Sequence, residues 1–114
     1  GETIGLLPDQ VPGNGEGEWA EFFGRPAYTM TLVGRLMESS GAAVMMCYAI
    51  RLPQGAGYDI HFEPLTFTPE KSVALQINAA LEQVIRTCPE QYLWSYHRYK
   101  TPSGASPQDA ARES

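Results

Sequence analysis

The 114-residue sequence is poor in cysteine and histidine, with two of each. Cys47 and Cys88 are far apart and lack the short spacing of a zinc site. Their apolar surroundings indicate reduced core thiols of a reducing compartment, and the sequence leaves a disulfide between them open. We therefore expect neither a metal ion nor a cofactor.

Basic residues are also scarce. Eight lysines and arginines stand against 13 aspartates and glutamates, which gives a net charge of −5 and a pI of about 4.9. This balance argues against nucleic acid as a partner, because such binding depends on neutralising phosphates. No apolar run reaches the ~18–20 residues that span a bilayer, and no signal peptide is recognisable. A hydrophobic content of 43% suits one globular domain.

A glycine-rich loop at 9–18 lacks the chemistry of a nucleotide site. Its glycines and Pro12 favour turns and allow close approach to a ligand. No Lys-Ser or Lys-Thr pair follows them, and the local charge is negative, which repels phosphate. This argues against a nucleotide-binding domain.

The rest of the chain shows strand and helix patterns. Thr3–Leu7 is apolar on both faces, which predicts a buried parallel strand. The stretches 42–50 and 58–64 predict an antiparallel hairpin, because only a short turn joins them, with the first of them as a central strand. Three helices are expected: at 27–40, stopped by Gly41; at 68–87, capped by Thr68 with Pro69 in its first turn; and at 89–102, opened by Pro89 and carrying Tyr92, Tyr96 and Tyr99 on one face.

The order β-α-β-β-α-α predicts an α/β fold, a partial mixed sheet flanked by helices. Residues 1–102 form the predicted domain, and 103–114 a flexible tail. Gly1-Glu2 is typical of the exit from a preceding helix, and one parallel strand makes an incomplete sheet. We expect the chain to be the C-terminal part of a larger protein.

Periodicity predicts which side chains are buried. The strand at 58–64 alternates, and a solvated face is expected for His61 and Glu63. Met45 and Met46 are expected in the core. The apolar stripe of the helix at 68–87 consists of Val73, Ile77, Leu81, Val84 and Cys88.

Several motifs occur together in an order that resembles one family. Leu7-Pro8-Asp9-Gln10 is followed by Phe22-Phe23-Gly24-Arg25-Pro26-Ala27, then by Arg51-Leu52-Pro53, and finally by Pro89-Glu90-Gln91-Tyr92 with Trp94, Arg98 and Lys100-Thr101-Pro102. Over residues 1–102 the chain resembles the bacterial lipid A late acyltransferases, the lauroyl and myristoyl transferases. It departs from their pattern at Val11, where a second acidic residue is usual, and at Tyr96 and His97, where many members have His and Arg.

The resemblance implies an enzyme that transfers a fatty acyl group from acyl carrier protein to a lipid A precursor, at the cytoplasmic face of the bacterial inner membrane. Members carry an N-terminal membrane anchor and a His-x4-Asp/Glu element whose histidine is the general base. Here His61 and His97 are followed five residues on by Thr66 and Pro102. We expect that the general base lies upstream of this chain, which alone is inactive.

The resemblance also selects candidate site residues. Asp9 is the candidate for a supporting catalytic role, orienting a basic group or the acceptor, and a loop-capping aspartate is the alternative. Arg98 and Lys100 are candidates for contacts with lipid A phosphates or with acyl carrier protein; the alternative is ion pairing with Glu90 or with an upstream carboxylate. The other candidates for substrate binding are Gln10 and Arg25.

A second function remains open from the sequence. The chain is also consistent with a non-enzymatic α/β module that binds a lipid or protein partner through its aromatic residues. Those residues are Trp19, Phe22, Phe23 and the aromatic C-terminal segment.

Overall fold

A computed structural model describes residues 2–104 as four strands and two helices. Gly1 and the predicted tail beyond Gly104 lie outside the described residues. The predicted α/β class is confirmed, whereas the order of elements is β-β-α-β-β-α. The elements are β1 (Gly17–Phe22), β2 (Arg25–Met30), α1 (Leu32–Ser40), β3 (Val44–Arg51), β4 (Tyr58–Leu65) and α2 (Val73–Thr87), with 3-10 turns at Pro53–Gly55 and Pro89–Gln91.

The strands form two separate antiparallel pairs, β1 with β2 and β3 with β4. The predicted parallel strand at Thr3–Leu7 is wrong, because none of the four strands pairs with it. Without a neighbour to receive its backbone hydrogen bonds, an apolar segment gains nothing from extending as a strand. Leu6 packs against the core, while Ile4 and Leu7 are exposed. Because β3 pairs with β4 alone among the four strands, it is half of a hairpin and not the predicted central strand.

The hairpin of β1 and β2 replaces the first part of the predicted helix at 27–40. Its two-residue turn has positive φ at Phe23 (51°) and at Gly24 (75°), the pattern of a type I′ turn. Phenylalanine is unusual there, and contacts from elsewhere hold it. Its N–H donates to the carboxylate of Glu82, and its ring packs edge-on against Phe22, with 4.7 Å between centroids.

Both helices end where the sequence predicts. Gly41, at φ 69°, donates its N–H to Met37 O over 2.8 Å and closes α1. The predicted start of α2 is wrong: its cap is Ser72, whose hydroxyl accepts the N–H of Leu75 at 3.1 Å. Within residues 2–104 no helix is long and apolar enough to cross a bilayer.

The buried stripe of α2 is turned slightly from the predicted one. Ile77 and Leu81 are buried as predicted, and Cys88 and Val84 are only partly buried. Ala74, Asn78 and Ile85 complete the buried face. Around it the core consists of Phe22, Ala27, Val33, Met46, Ile77, Leu81 and Ile85.

The C-terminal segment is not the predicted helix at 89–102. After the 3-10 turn Pro89–Gln91 it continues as a series of turns. Short backbone bonds, from Trp94 N–H to Tyr92 O and from Arg98 N–H to Tyr96 O, hold it. Because a turn series does not keep helical spacing, the tyrosines separate: Tyr92 and Tyr99 pack against the core, whereas Tyr96 is exposed.

The β3–β4 hairpin has one covered and one open face. Met46 is buried, and His61 is half-buried and stacked on Tyr48, with ring centroids 4.9 Å apart. The Tyr48 hydroxyl donates to Glu63 at 2.8 Å. The predicted solvated face is confirmed for Glu63, which is exposed, and is wrong for His61, which lies half-buried on the face that carries Met46.

The open face carries two side chains that were predicted to lie in the core. Met45 is exposed. Cys47 is an exposed free thiol, and Cys88 is also free. Both Met45 and Cys47 alternate with Met46 along β3 and so point away from it.

Gly17 lies where β1 passes closest to its neighbours. A Cβ there would lie 2.6 Å from Thr29 O, 2.7 Å from Pro12 Cγ and 2.9 Å from Tyr28 Cε2. We predict that Gly17→Ala lowers the free energy of unfolding by about 1–3 kcal/mol, measured by urea denaturation. Gly5→Ala is the control, because a Cβ at Gly5 meets nothing within 4 Å. Equal stability of the two variants would contradict the close packing at Gly17.

Cys88 gives a prediction for pH dependence. Its thiol lies 3.2 Å from Glu90 Oε1, and this hydrogen bond to the carboxylate raises the pKa of Cys88 above its usual value, with a further increase from burial. Removing the charge by Glu90→Gln is expected to lower that pKa, so the thiolate forms at lower pH. In a Cys47→Ser background, alkylation rates measured against pH should rise at a lower pH for Glu90→Gln than for the parent. Glu70→Gln should leave the profile unchanged, and a Glu90→Gln profile equal to the parent's would refute the interpretation.

Candidate functional site

The centre of the candidate site is Arg98, which the C-terminal segment places inside the domain. Its side chain is only 3% exposed. Nη1 donates to Tyr28 O at 2.8 Å, and Nη2 donates to Thr29 Oγ1 at 2.9 Å and to Asn78 Oδ1 at 3.4 Å. One guanidinium thus joins β2, α2 and the segment that follows α2.

Thr29 and Asn78 form the floor of this site and are both fully buried. Thr29 Oγ1 accepts from Asn78 Nδ2 at 2.8 Å and donates to Ala27 O at 2.9 Å. The hydroxyl therefore uses its proton and both lone pairs. A buried polar network of this kind is stable only when its members are paired.

The hydrogen-bond partners of Arg98 do not neutralise its positive charge. Its hydrogen bonds go to uncharged oxygens, and within residues 2–104 its Nε has no hydrogen-bond partner. Burial lowers the pKa of Arg98, because it removes the charged form from water; negative charge on its titratable neighbours opposes that effect. These neighbours are Tyr92, Tyr96, Tyr99 and Asp9.

Asp9 lies in the turn 8–10, where its own side chain is half-buried. It is close enough that its charge acts on Arg98 and, together with burial as the larger cause, raises the pKa of Tyr92. The loop is also bonded to the C-terminal segment, since Val11 N–H donates to the Tyr96 hydroxyl at 2.8 Å. The structure thus brings the loop that carries Asp9 into contact with the segment that carries Arg98, through Val11 and Tyr96.

The other predicted residues, Gln10, Arg25 and Lys100, are exposed. The Arg25 guanidinium lies over the Tyr99 ring, 4.1 Å from its centroid, and the Tyr99 hydroxyl donates to Phe22 O at 2.5 Å. Glu90, the suggested ion-pair partner of Arg98, bonds instead to Cys88. Arg98 faces protein groups, and its contact with a phosphate stays a prediction.

Sequence reasoning missed Thr29, Asn78 and Glu82. Asn78 carried a usable signal, because it lies at helical spacing with Ala74, Leu81 and Ile85 on a buried stripe. A polar side chain at such a position requires a polar partner. Thr29 sits within a strand that was predicted to be helix, and it gave no comparable signal.

Comparison with known proteins identifies the family. The family described as bacterial lipid A biosynthesis acyltransferase matches residues 1–101, and the chain belongs to it. The predicted resemblance is confirmed. The match includes both the Asp9 loop and the segment that carries Arg98.

Individual relatives agree with this assignment. The chain is 33% identical to the lipid A biosynthesis palmitoleoyltransferase of Escherichia coli K12, over 93% of this chain and 36% of that protein. It is 31% identical to the lipid A biosynthesis lauroyltransferase of the same strain, over 91% of this chain and 36% of that protein. Lipid A biosynthesis acyltransferase 2 of Shigella flexneri is 30% identical, over 83% and 32% respectively. The chain thus spans about a third of the length of these relatives.

The Arg98 network predicts a large effect for one substitution. Arg98→Met keeps an unbranched apolar side chain but removes the guanidinium, which leaves Asn78 Oδ1 and Tyr28 O without their donor, so we expect the free energy of unfolding to fall by at least about 2 kcal/mol. Chemical denaturation measures it. Lys100→Met, at an exposed position two residues on, should change stability by less than about 0.5 kcal/mol. A loss no greater for Arg98→Met than for Lys100→Met would contradict the network.

Proposed function

We propose that this chain is the C-terminal part of an enzyme that transfers a fatty acyl group from acyl carrier protein to a lipid A precursor at the cytoplasmic face of the bacterial inner membrane. The observation that carries the proposal is the contact between the two segments bearing the family's motifs. The Asp9 loop and the Arg98 segment are far apart in sequence, yet the 2.8 Å bond from Val11 to Tyr96 joins them.

The reaction needs a base and a site for negative charge. The acceptor hydroxyl attacks the thioester carbon, a C–O bond forms, the C–S bond breaks, and the hydroxyl proton passes by way of the base to the departing thiolate. In the proposed enzyme the general base is the family's histidine, which lies outside this chain. We therefore expect no transfer by the 114-residue chain alone.

Asp9 is proposed to orient either that base or the acceptor hydroxyl. Its half-buried position supports this role, because a carboxylate there is less screened than one on the open surface. Arg98, held by uncharged acceptors, is proposed to keep the field near Asp9 positive. The exposed Arg25 and Lys100, with Gln10, remain proposed contacts for substrate, since lipid A phosphates attract exposed cations.

The alternative binding module has less support in the structure. Of its proposed aromatic contacts, Phe22 is 1% exposed and belongs to the core. Leu93 and Trp94 do form an exposed apolar pair beside Phe23, whose ring centroid lies 5.9 Å from that of Trp94. A partner surface at this pair is compatible with either function.

The decisive experiment compares two aspartates in the full-length enzyme. Acyl transfer from acyl carrier protein to a lipid A precursor is measured for the parent, for Asp9→Asn and for Asp59→Asn, with thermal unfolding to confirm that each variant folds. We expect Asp9→Asn to lose about 100-fold in kcat, in line with the loss of a group that orients an acid–base catalyst. Asp59, exposed on β4, is the matched control and should remain active.

Two results would count against this assignment. A folded, fully active Asp9→Asn variant would reduce Asp9 to a loop cap. Detectable transfer by the 114-residue chain would show that the base lies within it.

A further inference from the structure

One face of the β3–β4 hairpin is apolar and uncovered. Register pairs Cys47 with Phe62 and Ala49 with Ile60, so these four side chains point to the same side. Phe62 is 62% exposed, Ile60 57%, Tyr58 60% and Met45 55%. The opposite face, with Met46, is the one that meets the core.

This outer face carries almost no charge. Its members are Met45, Cys47, Ala49, Arg51, Tyr58, Ile60, Phe62 and Pro64, and Arg51 stands at one end. Soluble proteins rarely leave so continuous an apolar patch open to water unless something binds it. The apolar side chains of the alternating strand β4 thus lie on the open face, whereas its charged residues Asp59 and Glu63 lie on the opposite one.

The size of the face limits what can cover it. Two eight-residue strands make a surface about 27 Å long and about 10 Å wide. Even twice that area, to allow for side-chain relief, stays below the ~800 Å² per partner of a stable association between separate proteins. A covering layer from the same polypeptide needs no such area, because its effective concentration is high.

We propose that the outer face of β3–β4 is an internal interface, covered by a secondary-structure layer from the remainder of the acyltransferase chain. The inference rests on the proposed function, in which this chain is the C-terminal part of a longer enzyme. The relatives support it, since about two thirds of their length has no counterpart here and an α/β sheet requires a layer on each apolar face. The expected occupant is an apolar helix or strand layer of that chain.

Cys47 reports directly on the proposal, because it lies in the centre of the face and is an exposed free thiol in this structure. In the full-length enzyme we expect Cys47 to be alkylated at least about tenfold more slowly in the folded protein than after unfolding in urea. A thiol covered by an interface reacts only when the protein opens locally. Peptide mass spectrometry measures the rate at this position alone. A folded rate close to the unfolded rate would overturn the proposal.

Matched lysine substitutions on β4 give a second test. In the full-length enzyme Phe62→Lys should lower the unfolding temperature by several degrees, because it places a charge in a buried interface. Asp59→Lys, on the opposite face of the same strand, should change it little. Equal effects of the two substitutions would contradict the interface.

Two further outcomes separate this proposal from its rivals. Protection of Cys47 that disappears on dilution would assign the face to a second copy and overturn the internal interface. Protection that persists in an enzyme without acyl transfer would support the interface while refuting the proposed function. An active enzyme in which Cys47 is unprotected would support the proposed function and overturn the interface.

Discussion

The described part of the fold depends on a charged group kept among uncharged oxygens. Burying a guanidinium costs several kcal/mol of hydration, so Arg98 remains inside only while Tyr28, Thr29 and Asn78 hold their positions. These acceptors come from β2 and α2. The C-terminal segment can therefore close correctly only over a formed β1–β2 hairpin. Because the same segment supplies the hydroxyl that binds Val11 N–H, the Asp9 loop depends on it in turn.

Local signals predicted the parts of the fold that local forces determine. The β3–β4 hairpin, the stop at Gly41 and the end of α2 all follow from short-range patterns and were confirmed. The β1–β2 hairpin could not be found in this way. Its turn places Phe23 at positive φ, and the carboxylate that holds it belongs to Glu82, 59 residues later. No window around the turn contains that information.

The candidate site shows the same difference between features that local patterns predict and features that long-range contacts determine. Asp9 and Arg98 were selected through family motifs, and the buried position of Arg98 could not be derived from spacing, since its bond to Tyr28 O spans 70 residues. The helical spacing of Tyr92, Tyr96 and Tyr99 led to a wrong helix. The burial of Arg98 decides the path of that segment, and helical periodicity does not. The position of Asn78 on a buried stripe called for a polar partner, but the sequence did not identify Arg98 as that partner.

The two sides of the domain differ in what they still require. On the Arg98 side the buried polar side-chain atoms within residues 2–104 have hydrogen-bond partners, with Arg98 Nε as the exception. On the outer face of β3–β4 the apolar side chains remain exposed to water. Under the proposed function, Asp9 and its supporting network are preformed here, whereas the general base comes from the remainder of the enzyme.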